Sequence, residues 1–130
     1  MIVIDASAMV EALIGGDVEH ELLEVLAGDV SAPHLLDVEV LSALRGLLLG
    51  GKLDPVAAEE ARLDHFALAL IRYEIHPLAD RIWRLRHQYT SYDASYLALA
   101  EALHAPLYTC DAKLAGHSHE AEVRVFPRTH

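Results

Sequence analysis

The 130-residue chain predicts an α/β fold, a three-layer α/β/α arrangement around a central parallel sheet of four to five strands. Three observations carry that reading. Strand-like and helix-like stretches alternate along the whole chain, as parallel pairing through helical crossovers requires. Ile2-Val3-Ile4 is a β-branched run, apolar on both faces, as in a strand covered on both sides. Residues 94–102 are apolar nearly all round, so that helix belongs inside.

Each element then follows in order. Asp5 stands at the carboxyl end of the first strand, the edge where open α/β sheets place their ligands. Alone it fits three chemistries: a phosphate-accepting aspartate, a metal-bound carboxylate and a helix N-cap. Residues 7–14 read as a short helix ended by Gly15-Gly16. Asp17 is placed to cap a second helix, with Val18, Leu22, Leu23, Val25 and Leu26 on its apolar side and Gly28 at its end. Residues 30–32 form a short strand stopped by Pro33. A third helix over residues 36–49 buries Val40, Leu44, Leu47 and Leu48. Its Glu39, Ser42, Ala43 and Gly46 share another face, small except for the carboxylate, which leaves Glu39 room to meet a ligand.

Gly50-Gly51 breaks the chain, and Asp54-Pro55 restarts it as an N-cap with proline at the first helical position. That helix is expected to reach about residue 71, followed by a strand over residues 73–76 that Pro77 closes. Residues 78–88 read as helix, with Leu78, Ile82 and Leu85 inward and Arg81, Arg84 and Arg86 mostly outward. Thr90 or Ser91 caps the next helix, which runs to about residue 103. Residues 106–109 form a strand, 111–115 a short helix and 123–126 the last strand. Trp83 and Cys110 are read as core.

Composition narrows the class. The length suits one domain over residues 1–130, and an apolar fraction of 53% can fill its core. No apolar run approaches the roughly 18 residues of a membrane span, and Asp5 stands where a signal peptide would carry lysine or arginine. One cysteine excludes a disulfide framework, so the expected setting is the cytoplasm, without a membrane. The net charge of −10 opposes non-specific nucleic-acid binding. Any nucleic-acid chemistry therefore needs a local site that inverts the sign, by a bound divalent metal or by the Arg81, Arg84 and Arg86 cluster. For those arginines, with His87, a solvated helix face is the favoured reading. His117-Ser118-His119 has the wrong spacing for one helix face and no third ligand, so zinc is not expected there.

Asp5, Asp93 and Asp111 each lie beside a helix start. Each fits a cap: Thr90-Ser91-Tyr92-Asp93 matches a capping box, and Asp111 and Asp5 can begin their own helices. In a parallel sheet, however, the strand-to-helix turns share one edge, so acids after the first and fourth strands converge. Asp93 adds a third carboxylate and Glu39 a fourth. Two carboxylates ~4 Å apart repel by about 4 kcal/mol at an effective dielectric near 20. Four stay ionised together only beside a cation. An all-oxygen set selects Mg²⁺, with Mn²⁺ as the alternative, and such a site suits phosphodiester hydrolysis. Ser7 and Thr109 are candidates to orient carboxylates or a water, with ordinary turn chemistry as the competing role.

Ile4-Asp5-Ala6-Ser7-Ala8, residues 39–45, residues 92–101 and Thr109-Cys110-Asp111-Ala112-Lys113-Leu114 resemble, in order and spacing, the four motifs of PIN-domain nucleases. The chain length and the Tyr92-Asp93-Ala94-Ser95-Tyr96-Leu97-Ala98 run look most like the VapC-type toxins of toxin–antitoxin pairs. The resemblance implies a PIN-like fold and Mg²⁺-dependent endoribonuclease activity toward RNA, carried by Asp5, Glu39, Asp93 and Asp111 as catalytic metal ligands. It also implies a homodimer and inhibition by a cognate antitoxin. The alternatives are a housekeeping PIN nuclease in RNA processing and a catalytically silent PIN interaction module. A receiver-type phosphoacceptor needs an acidic pair near Asp5, which is lacking. A haloacid-dehalogenase-like phosphatase needs a second aspartate where this chain has Ser7.

Overall fold

The computed structural model describes residues 1–130. Ile2, Val3 and Ile4 form β1 (Ile2–Ile4), and all three side chains are buried. The chain continues through α1 (Ala6–Ile14), α2 (His20–Val25), β2 (Val30–Pro33), α3 (Leu35–Leu49), α4 (Pro55–Ala67) and β3 (Leu70–Tyr73). It ends with α5 (Ala79–Arg84), α6 (Ser91–Leu103), β4 (Leu107–Thr109) and β5 (Val123–Val125). The strand order is β3-β2-β1-β4-β5 with every pairing parallel, which realises the predicted sheet with five strands. Residues 94–100 of α6 are buried, and the helix packs across β1, β2 and β4 on one face. Helices α1, α3 and α4 pack against one another on the other face.

Two links close the layers. Arg81 on α5 donates two hydrogen bonds to Glu101 on α6, at 2.7 and 2.9 Å. Asp37 on α3 accepts from Arg72 on β3, at 2.7 and 3.0 Å, and lies 2.8 Å from His65 Nε2 on α4.

Several elements depart from the sequence reading. Helix α4 stops at Ala67 rather than near residue 71, because Leu68 turns extended and residues 70–73 pair with β2. The strand expected over residues 73–76 therefore begins earlier, and His76–Leu78 is a 3₁₀ turn containing Pro77. Asp17 caps nothing. Its backbone N–H bonds Thr129 Oγ1 instead, and α2 starts at His20 behind Glu19, which makes no side-chain cap. With only six residues, α2 buries Leu22 and leaves Leu23 exposed. On α3, Leu47 and Leu48 are partly exposed rather than buried. Ile82 and Leu85 take the inward side of the α5 segment, so Trp83 faces solvent, 65% exposed, with the Arg86 guanidinium 4.8 Å from its ring. Cys110 is also only partly buried.

Candidate active site

Asp5 follows β1 directly and serves as the N-cap of α1, accepting from Ala8 N–H at 3.0 Å. The cap is one of three donors. Ser7 Oγ donates to the same oxygen at 2.7 Å, and Thr109 Oγ1 donates to the other. Both hydroxyls are themselves held from the turn after β4: Cys110 N–H bonds Ser7 Oγ at 2.8 Å and Asp111 N–H bonds Thr109 Oγ1 at 3.0 Å. Each hydroxyl thus relays one backbone donor of the β4 turn to the carboxylate at the end of β1. The strand order allows this, because β1 and β4 are direct neighbours.

An ionised carboxylate offers about four acceptor positions, and three at Asp5 are filled. Asp5 is 6% exposed and has no cationic partner. Burial pushes its carboxyl above the ordinary value, the three donors pull against that, and the charge of Asp93 adds to the rise.

Asp93 lies in the first turn of α6, where Thr90 caps the helix by accepting from its N–H at 3.1 Å. Burial raises its carboxyl and the charge of Asp111 adds to that, with Lys113 opposing. Glu39 is reached from the other side. The hydroxyl of buried Tyr96, one turn beyond Asp93, donates to it at 2.5 Å. Burial raises Glu39 too, Tyr96 opposes, and Asp93 adds its repulsion. Asp111 accepts from Lys113 N–H at 3.0 Å, and the Lys113 ammonium is 3.7 Å from its carboxylate.

The four predicted acids are therefore brought into one field, with Asp93 felt at both Asp5 and Glu39 and Asp111 felt at Asp93. Capping and the gathering of charge coexist at Asp5 and Asp111, which cap their helices while facing that field. No three His, Cys, Asp or Glu side chains are set to grip an ion unaided. The donor set still fits a hard divalent cation. It is all oxygen and excess in negative charge, and Mg²⁺ is commonly held by one or two carboxylates while keeping its waters.

Glu39 opens onto a groove of about 760 Å³ between α1 and α3, lined by Ser42, Ala43 and Gly46, the small face expected beside it, and by Val10, Leu35, Val38 and Leu47. A second cavity of about 430 Å³ meets Asp93 and Lys113. The sequence alone assigns Tyr96 no role, although a phenol in an otherwise apolar buried helix calls for a polar partner. Glu11 was missed as well. It is a buried acid among Met9, Val10, Ala12 and Leu13, and it binds Thr129 and His130. The Cys110 thiol, beside this region, is pushed up to about 11 by burial and by the charges of Asp5 and Glu11, with Arg128 opposing.

Comparison with known proteins gives a consistent picture. Residues 2–119 match the PIN domain family. The chain is 38% identical to ribonuclease VapC9 of Mycobacterium tuberculosis over 129 residues, covering 98% of this chain and all of that protein. It is 44% identical to ribonuclease VapC1 of the same organism over 119 residues, 87% of each. Among solved structures, PAE2754 from Pyrobaculum aerophilum superposes with a TM-score of 0.71 at 24% identity, covering 94% of this chain and 87% of that one. The sarcin–ricin-loop-cleaving toxin VapC20 of M. tuberculosis superposes with a TM-score of 0.68 at 16% identity, covering 92% and 97%. At those identities the two structures speak for the fold alone.

Proposed function

Because the chain belongs to the PIN domain family, and its relatives of 38% and 44% identity are named VapC ribonucleases, we propose that it is an Mg²⁺-dependent endoribonuclease toxin. In this reading it hydrolyses RNA phosphodiester bonds in the cytoplasm, works as a homodimer and is held inactive by a cognate antitoxin. The observation that carries it is Asp5: a buried carboxylate with three donors, one acceptor position to spare, no cation of its own and three more acids in its field.

Asp5 and Asp93 would hold the metal most directly, with Glu39 and Asp111 completing the charge around it. When bound, a divalent cation neutralises the phosphate and lowers the pKa of an attacking water. The chain's own residues keep the carboxylates in place. Ser7 and Thr109 spend their hydroxyl protons on Asp5, so its free lone pair has one direction left. Tyr96 fixes one oxygen of Glu39 and leaves the other available. Lys113 offsets Asp111, which limits the repulsion that Asp93 must bear.

Incubating the purified protein with structured RNAs and Mg²⁺ is the direct test. Wild type should cleave and Asp5→Ala should not. Equal cleavage by the two, or none by either, sinks the nuclease reading. Chelation with EDTA should stop the wild type, and added Mg²⁺ should restore it.

A further inference from the structure

After β5 the chain does not leave the molecule. Phe126 N–H bonds Thr109 O at 2.8 Å, and the Phe126 ring is buried beside Tyr108. The next residues pass the acid site and dock on the far end of α1. Thr129 N–H donates to Glu11 Oε1 at 2.7 Å, its hydroxyl donates to Oε2, and His130 Nδ1 lies 2.9 Å from Oε1. In return Gly16 N–H and Asp17 N–H bond Thr129, at 3.2 and 3.1 Å. Residues 126–130 are thus a strap pinned at both ends, and Arg128 sits between the pins. It lines the groove that also carries Ser7, Glu39, Ser42, Gly46 and Tyr92.

Arg128 is the free cation of this site. Of the ten lysines and arginines, Arg62, Arg72, Arg81, Arg84, Lys113 and Arg124 are in ion pairs. Arg86 lies over Trp83. Arg45, Lys52 and Arg128 have no partner, and of these only Arg128 lines the groove. A planar guanidinium suits a phosphate, which it can meet with two parallel hydrogen bonds. The small side chains of Ser42, Ala43 and Gly46 leave room beside Glu39, and exposed Tyr92, which also lines the groove, offers a ring face to a base.

We propose that Arg128 binds a backbone phosphate of the RNA in the groove between α1 and α3, and that Glu11 is the positioning residue that sets it there. The proposal rests on the nuclease reading. The strap gives an otherwise repulsive surface an unpaired cation on an anchored backbone, on the side where Glu39 opens.

Steady-state cleavage of a structured RNA in Mg²⁺, paired with binding of a short labelled single-stranded RNA, tests it. Arg128→Ala should raise KM about tenfold with kcat nearly unchanged, and Arg128→Lys, which keeps the charge but not the paired hydrogen bonds, should recover only part of the loss. The gap between wild type and Arg128→Ala should narrow as monovalent salt rises. Glu11→Gln, checked for retained folding by circular dichroism, should also raise KM. The double variant Glu11→Gln/Arg128→Ala should be no worse than Arg128→Ala alone, since Glu11 acts through Arg128. An Arg128→Ala enzyme with wild-type KM and salt response overturns the phosphate contact. Additive losses in the double variant overturn the positioning role of Glu11. A wild type that neither binds nor cleaves RNA overturns the nuclease reading, and this proposal with it.

Discussion

Asp93 is the residue at which the site's charges meet: burial raises the carboxyls of Asp5 and Glu39, the charge of Asp93 adds to both, and Asp111 acts on Asp93 in turn. Raised carboxyl groups mean that the folded state pays to keep them ionised. Asp93→Asn removes one charge from that set, so the metal-free protein should become more stable at neutral pH. The group is half-exposed, and after allowance for solvent screening the gain is up to about 1 kcal/mol, or a few degrees in Tm. The same variant should lose RNA cleavage and most of the thermal stabilisation that Mg²⁺ gives the wild type. Melting curves in EDTA and in Mg²⁺ read both, and an Asp93→Asn protein that melts below wild type in EDTA contradicts the repulsion argument. At this scale the acids were legible because strand-to-helix turns share an edge. Tyr96 was not, since its partner Glu39 is 57 residues away on α3, a helix of the opposite layer.

Helix α4 shows how an element can be misread. Ala67-Leu68-Ala69-Leu70-Ile71 contains no glycine or proline, and local preference alone would continue the helix. Pairing with β2 overrides it, with Val30 opposite Leu70 and Pro33 opposite Tyr73. Arg72 then reaches Asp37, which also meets His65, a fully buried ring whose Nδ1 has no partner. Asp37→Ala takes the acceptor away from Arg72 and His65, at a cost of about 1–3 kcal/mol in urea unfolding at neutral pH. Burial works against ionisation of Asp37, but Arg72 and His65 overcome it and hold its carboxyl below the ordinary value. Such a group stabilises the fold above the unfolded value of about 4, and that contribution is lost as pH falls through the folded value. The difference between wild type and Asp37→Ala should therefore shrink in acid. A constant difference would assign the effect to packing instead.

The molecule as a whole carries a charge of −10, so it approaches RNA as one polyanion approaching another. Long-range repulsion is screened by salt, with a Debye length near 30 Å at 0.01 M and about 10 Å at 0.1 M. At fixed, saturating Mg²⁺, kcat/KM for RNA cleavage should therefore rise over that range, the reverse of the usual fall for a basic nucleic-acid-binding protein. Stopped-flow or initial-rate measurements at low substrate would show it, and a steady decline would mean that local cations outweigh the global field. The parallel sheet was readable from alternation, but the neighbouring of β1 and β4 was not, because every strand-to-helix turn shares that edge whatever the strand order. The return of residues 126–130 across α1 was not, because nothing local marks Thr129 as a partner for Glu11, 118 residues earlier. That long return has a consequence in time. Asp5 is translated more than a hundred positions before Thr109, Asp111 and the strap. Until those residues are made, Asp5 lacks the Thr109 hydroxyl and the groove lacks an anchored Arg128. The order of the chain thus makes the acid site one of the last parts of the molecule to be completed.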